Sequence, residues 1–157
     1  MPNIIEIKAG KTLKLNNVVI RSIAENELFD YVRITEMTDS YIKSKGSQPV
    51  GPLVQCTCTS IDEEGLPKVK FTLLWQSNNY IHSTEFPYST ESIMRVSNCL
   101  YTRFIGNEIN MQHSYNKLSV YAYENDMNLT GATYTVFLDE ADDIVTADIF
   151  MECITDD

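Results

Sequence analysis

Asp148 stands in the apolar stretch Ala147-Asp148-Ile149-Phe150-Met151. In a β-strand, successive side chains point to opposite faces. If Ile149 and Met151 face a covering helix, Asp148 and Phe150 face the other way. There Asp148 is either an exposed sheet-face acid or a carboxylate turned toward a ligand. Aromatic residues in strand-like runs supply the other candidates. Trp75 closes Phe71-Thr72-Leu73-Leu74-Trp75, where period two puts Phe71, Leu73 and Trp75 on one face. Tyr101 and Tyr134 lie in comparable runs. Each of these rings reads either as core or as the wall of a groove. Nine Tyr and one Trp are enough to line a groove, and Tyr also suits half-buried strands with no ligand.

Other residue types carry less. Cys56, Cys58, Cys99 and Cys153 all fall in strand-like stretches, which points to packed, reduced thiols in a cytoplasmic protein. Neither His82 nor His113 is near a cysteine in sequence, so no metal set is expected. Both histidines read as solvated surface residues. Asp139, Glu140, Asp142 and Asp143 lack the spacing and glycine of a calcium loop and read as a hairpin turn. No Ser-His-Asp signature, phosphate-binding loop or dinucleotide glycine motif is present, and no cofactor is expected. The net charge of −10 and the scattering of 12 Lys and Arg argue against nucleic-acid binding. Met1 to Gly10 shows no signal-like run, and no stretch approaches the length of a membrane span. The chain therefore reads as soluble, with one core: 157 residues and 43% hydrophobic content need no disulfides or metal.

The elements that would position these residues can be read in order. Lys14 to Ile23 is a strand. Asn26 caps a helix whose inward candidates are Leu28, Tyr31, Val32, Thr35, Thr38, Tyr41 and Ile42, and Gly46 stops it. Leu53 to Ile61 and Val69 to Gln76 form a hairpin around Asp62-Glu63-Glu64-Gly65. Ser77 to Ser92 is irregular. The order then repeats: a strand over Ile93 to Ile105, and a helix from about Asn110 to Asn125. Met111, Tyr115, Leu118 and Ala122 form that helix's apolar face, with Tyr123 beside it. Strands follow over Gly131 to Leu138 and Val145 to Ile154.

Landmarks recur about 80 residues apart, such as Asn26-Glu27 with Asn107-Glu108 and Gly51 with Gly131. The prediction is a single α+β domain of duplicated β-α-β-β units, about 14–76 and 93–154, with a linker at about 77–92. The units would form one antiparallel sheet with two helices on one face and a concave groove on the other. A groove between halves is a natural ligand site.

This order of elements resembles the gyrase-inhibitor-like family, the effector-binding domain of multidrug-responsive regulators. Tyr115-Asn116-Lys117-Leu118 with Glu124-Asn125 looks like the family's second helix. Gly131 to Asp139 looks like its Gly-Pro-x-Tyr-x-x-Tyr-Leu strand, and Ala147-Asp148-Ile149 takes the place of its Thr-Glu-Ile strand. Val18 to Glu27 and Gly51-Pro52 fit its first half. The resemblance implies binding of apolar, often cationic, molecules between aromatic walls, with a carboxylate on the last strand meeting the charge. Carried over, it implies a ligand site of Trp75, Tyr101, Tyr134, Phe137 and Asp148. The sequence departs from the family at Asp148, one methylene shorter than Glu, and at Phe137, which lacks the usual hydroxyl. The family's helix Trp is missing, with Tyr121 nearby. No DNA-binding segment precedes the domain, so a complete regulator is not expected.

The leading expectation is a non-enzymatic domain binding a small apolar, possibly cationic, molecule. A second reading is a protein-interaction module, an adaptor, chaperone or immunity factor. Similarity to short proteins encoded near secreted-toxin operons of Gram-positive bacteria implies it, and the acidic surface would suit a basic partner. A third is a small hydrolase using the aromatic pocket and Asp148, for which the polar partners of acid–base chemistry are missing.

Overall fold

The computed structural model describes residues 6–155. The chain runs β1 (Ile7–Ile23), α1 (Tyr31–Ser44), β2 (Leu53–Ile61), β3 (Pro67–Gln76) and β4 (Tyr88–Asn107). It continues with α2 (Met111–Glu124), β5 (Leu129–Ala141) and β6 (Ile144–Cys153). This is an α+β fold of mostly antiparallel strands with two helices, and the strand–helix–strand–strand order occurs twice, as the sequence predicts. It divides into two compact units. The first is Lys14–Arg95; the second is the chain up to Leu13 together with the chain from Val96 onward.

In the first unit, β3 lies between β1 and β2 and is antiparallel to both, pairing Val19 with Trp75 and Val54 with Leu74. β1 and β2 are therefore parallel, joined through α1 with β3 inserted between them, a split βαβ arrangement. The β2–β3 hairpin turns where Asp62 Oδ1 accepts from the N–H groups of Glu64 and Leu66, both at 2.9 Å. Gly65 takes the left-handed conformation that this turn requires, at φ 82°. One sheet face packs on α1: Ile23 and Leu73 meet Ile34, while Val19 and Ile81 meet Ile42. The helix buries Ile34, Thr38 and Ile42. Val32, expected to face inward, is 71% exposed. It lies about 200° around the helix from Ile34, on the opposite side from the buried stripe.

The second unit is built alike. β6 lies between β4 and β5, antiparallel to both. Leu100, Phe104, Ala147, Ile149 and Met151 pack against Met111, Leu118 and Ala122 of α2, with Ile7 against the same core. Residues 15–23 of β1 and 96–104 of β4 show the same order of burial, position by position. Asn17 and Asn98 hold the same place in it, both with positive φ, at 49° and 58°. Asn tolerates that conformation better than most residues.

β1 and β4 begin earlier than expected, at Ile7 and Tyr88. The added residues are largely exposed, so no apolar alternation marks them. All four cysteines are free thiols, Cys99 and Cys153 buried, Cys56 and Cys58 half-buried. Among the described residues, no helix is long and apolar enough to cross a membrane. The core assignment predicts that Ile34→Ala and Leu118→Ala each cost about 2–5 kcal/mol. Val32→Ala should change stability by no more than about 0.5 kcal/mol. Urea unfolding of the three variants checks this, and a large loss at Val32 would contradict the helix phase.

Candidate functional site

On the face of the second unit turned away from α2, three strands bring side chains into rows. Tyr101 of β4 pairs with Phe150 of β6, which pairs with Tyr134 of β5. The next row is Arg103, Asp148 and Val136. The Tyr101 and Phe150 rings lie 5.1 Å apart at 47°. Asp148 is therefore flanked by an aromatic row on one side and faced directly by a guanidinium across the strand pair.

The polar contacts converge on one carboxylate. The Tyr101 hydroxyl donates to Asp148 Oδ1 at 2.8 Å. Arg103 donates through Nε to Oδ1 at 2.8 Å and through Nη2 to Oδ2 at 3.1 Å. This forked geometry is the strong form of an arginine–carboxylate pair. The Asp148 side chain is 16% exposed, whereas that of Arg103 is 51% exposed. The carboxylate is thus fixed in the sheet, and the guanidinium is the partner with room to leave. Arg103 is held more strongly protonated than usual, first by its hydrogen bonds to Asp148 and then by the carboxylate's charge. The Tyr101 hydroxyl is pushed above the ordinary tyrosine value, first by burial, then by its bond to Asp148 and that carboxylate's charge.

A buried thiol lies nearby. Cys99 shares this face of β4, opposite Glu152. Burial above all, with the charges of Glu152 and Cys153 behind it, pushes its pKa up to about 12. The thiolate is the form that attacks electrophiles or binds metal, and burial disfavours it here. No cluster of three His, Cys, Asp or Glu suited to a metal occurs among the described residues.

Of the five sequence-selected residues, the fold brings together Tyr101, Tyr134 and Asp148. Phe137 is on the other face, packed against the α2 core beside Ala147. Its separation of three residues from Tyr134 puts the two on opposite faces of a regular strand. Tyr115 of α2 marks that same core side, with its hydroxyl 2.6 Å from Thr135 Oγ1. Trp75 belongs to the first unit and faces α1, packed against Val19, Ile42 and Ile81, with Nε1 donating to the Gly51 carbonyl at 3.4 Å. Sequence reasoning missed Arg103. The available signal was its spacing of two from Tyr101, which fixes both on one strand face.

No family model matches the chain, and no curated protein matches it in sequence. Solved structures do match in fold. SAV2435 bound to tetraphenylphosphonium matches with a TM-score of 0.53 at 8% identity, over 97% of this chain and 94% of that one. A protein of Staphylococcus aureus MU50 assigned to bacterial transcription regulation matches with a TM-score of 0.50 at 10% identity, over 96% and 98%. A hydrolase encoded by lin2189 of Listeria innocua reaches 0.49 at 10% identity, over 96% and 91%, too slight a likeness to carry an argument. At these identities the likeness is one of fold.

The contacts at Asp148 predict opposite effects of its two neighbours on Tyr101. Asp148→Asn removes the charge opposing ionisation, so the Tyr101 pKa should fall. Arg103→Gln removes the charge favouring ionisation, so it should rise. Tyrosine ring NMR during a pH titration reads both. The raised folded-state value also means that protonated Tyr101 stabilises the protein at pH below the normal tyrosine range. That contribution is lost as pH rises through the folded-state value. Tyr101→Phe should abolish this alkaline loss.

Proposed function

We propose that the chain is a small-molecule binding domain of the effector-binding type, and that an apolar cation binds at the Asp148 face of the second unit. The observation carrying this reading is the half-buried Asp148 carboxylate beside the Tyr101–Phe150–Tyr134 row. Aromatic rings attract a diffuse cation through their faces and a fixed carboxylate supplies the counter-charge. Together they tolerate many ligand shapes. A fold shared with a protein bound to tetraphenylphosphonium supports the ligand class. The gyrase-inhibitor-like resemblance of the last two strands supports it as well.

Arg103 has a defined part in this reading. It occupies the carboxylate with a protein cation, so an incoming ligand must displace the guanidinium or bind beside it. Because Arg103 is half-exposed, it regains hydration on leaving, and the exchange is nearly balanced. The protein binds rather than transforms its ligand. Asp148 is committed to two donors and Cys99 is held protonated, which leaves this face without an activated nucleophile.

Calorimetric titration with tetraphenylphosphonium tests the proposal, with tetraphenylborate as a control of like shape and opposite charge. Wild type should bind the cation and not the anion. Arg103→Gln should tighten binding by roughly tenfold and Asp148→Asn should weaken it by a similar factor, as expected for one charge-assisted contact. Equal affinities in all three proteins would sink the reading.

A further inference from the structure

The first unit holds a cavity of about 1030 Å³ that plays no part in the site above. It lies among the end of β1, the turn that follows it, the adjoining ends of β2 and β3, and the segment around Phe86. Its volume matches that of a small-molecule site. At its edge sits Arg21, only 7% exposed. Arg21 donates through Nη2 to Glu27 Oε2 at 3.0 Å and through Nη1 to Glu27 Oε1 at 3.4 Å. Nη1 also donates to the Ser22 carbonyl. The guanidinium carbon is 5.9 Å from the centroid of the Tyr88 ring. Nε, a further donor of the same guanidinium, is buried and has no acceptor. A buried N–H of a charged group is one that an added anion would stabilise.

Two further cations line the same cavity. Lys68 and Lys70 are two apart on β3, both exposed, and neither forms an ion pair among the described residues. In a chain of net charge −10, this is a local concentration of basic groups. The lining also holds two acids, Glu25 and Glu27, so its cations exceed its carboxylates by one, and Glu27 is already engaged by Arg21 and by the Ala24 N–H at 3.1 Å.

The segment Phe86 to Tyr88 adds aromatic lining to the same cavity. Phe86 is 98% exposed at the cavity's edge. The segment bearing it is firmly held. Glu85 accepts from the Tyr41 hydroxyl and from Lys45 Nζ, both at 2.6 Å. Tyr88 stacks on Tyr41 at 3.9 Å and 9°. An anchored turn therefore holds a bare aromatic ring beside a cationic cavity. The equivalent of Arg21 in the second unit is Thr102, also buried, whose hydroxyl donates to the Glu6 carbonyl at 2.8 Å. The repeat does not need an arginine there.

From these features we infer that the cavity binds an aromatic carboxylic acid. Its carboxylate lies toward Arg21, Lys68 and Lys70, and its ring lies against Phe86 and Tyr88. The test is a ¹H–¹⁵N NMR titration of the whole chain with 3-phenylpropionate, 3-phenylpropylamine and inorganic phosphate, following the Arg21 Nε–H signal and the amides of Lys68 to Lys70. Phenylpropionate should shift these signals saturably and the amine should not. The paired substitution Lys68→Ala and Lys70→Ala lies on the surface and should keep the melting temperature while weakening the acid roughly tenfold. Phe86→Ala should weaken the acid and leave any phosphate effect unchanged. Three results would each overturn the inference: no shift at Arg21 with the acid, equal affinity in the lysine variant, or phosphate binding as tightly as the acid.

Discussion

In each unit, one face of a three-stranded sheet is covered by a helix, and every strand residue must take one side or the other. That constraint decides which side chains are core and which are available for chemistry. In the second unit, Leu100, Phe104, Ala147 and Ile149 take the α2 side. Tyr101, Arg103, Asp148 and Phe150 are thereby left on the other face, in register with one another. The forked pair of Arg103 and Asp148 follows from direct opposition across two antiparallel strands, where side chains of opposite charge stabilise each other.

The same constraint explains what could be read in the sequence. Asp148 was legible because Ile149 and Met151 flank it with the pattern of a covered strand. Phe137, which the family resemblance puts in the ligand site with Tyr134, has the opposite parity and packs on the α2 side. Trp75 was undecided because Phe71, Leu73 and Trp75 share a face whichever side the helix takes, and α1 takes theirs. Nothing in the sequence around Arg103, between Thr102 and Phe104, distinguishes it from a solvated arginine. Its importance comes only from the residue opposite it. Arg21 lies between the core residues Val19 and Ile23 on one strand face and is buried with Glu27 and Tyr88 as partners.

Turn chemistry made the fold more legible than the site. Gly46, Gly51, Gly65 and Gly131 all adopt positive φ, as residues without Cβ do readily, and each stands at or near an element boundary. The starts of β1 and β4 were hidden because their side chains remain largely in water and leave no hydrophobic pattern. Hydrophobic periodicity reports burial, and a strand formed by main-chain pairing alone is silent to it.

Duplication supplies an internal control on these charges. Each repeat carries the same run of buried and exposed positions along its first strand, so each tests what the other position requires. Where the second unit has Arg103 opposite Asp148, the first has Ser22 opposite Thr72. Where the first unit has buried Arg21, the second has buried Thr102. Both scaffolds fold with a neutral residue at the position where the other carries charge. Burying a charge is unfavourable unless it is paired, and replacing a buried pair by neutral groups is often neutral or stabilising. Neither charge is thus demanded by the architecture. Each unit carries its own charged cluster at a position where the other unit folds with a neutral residue.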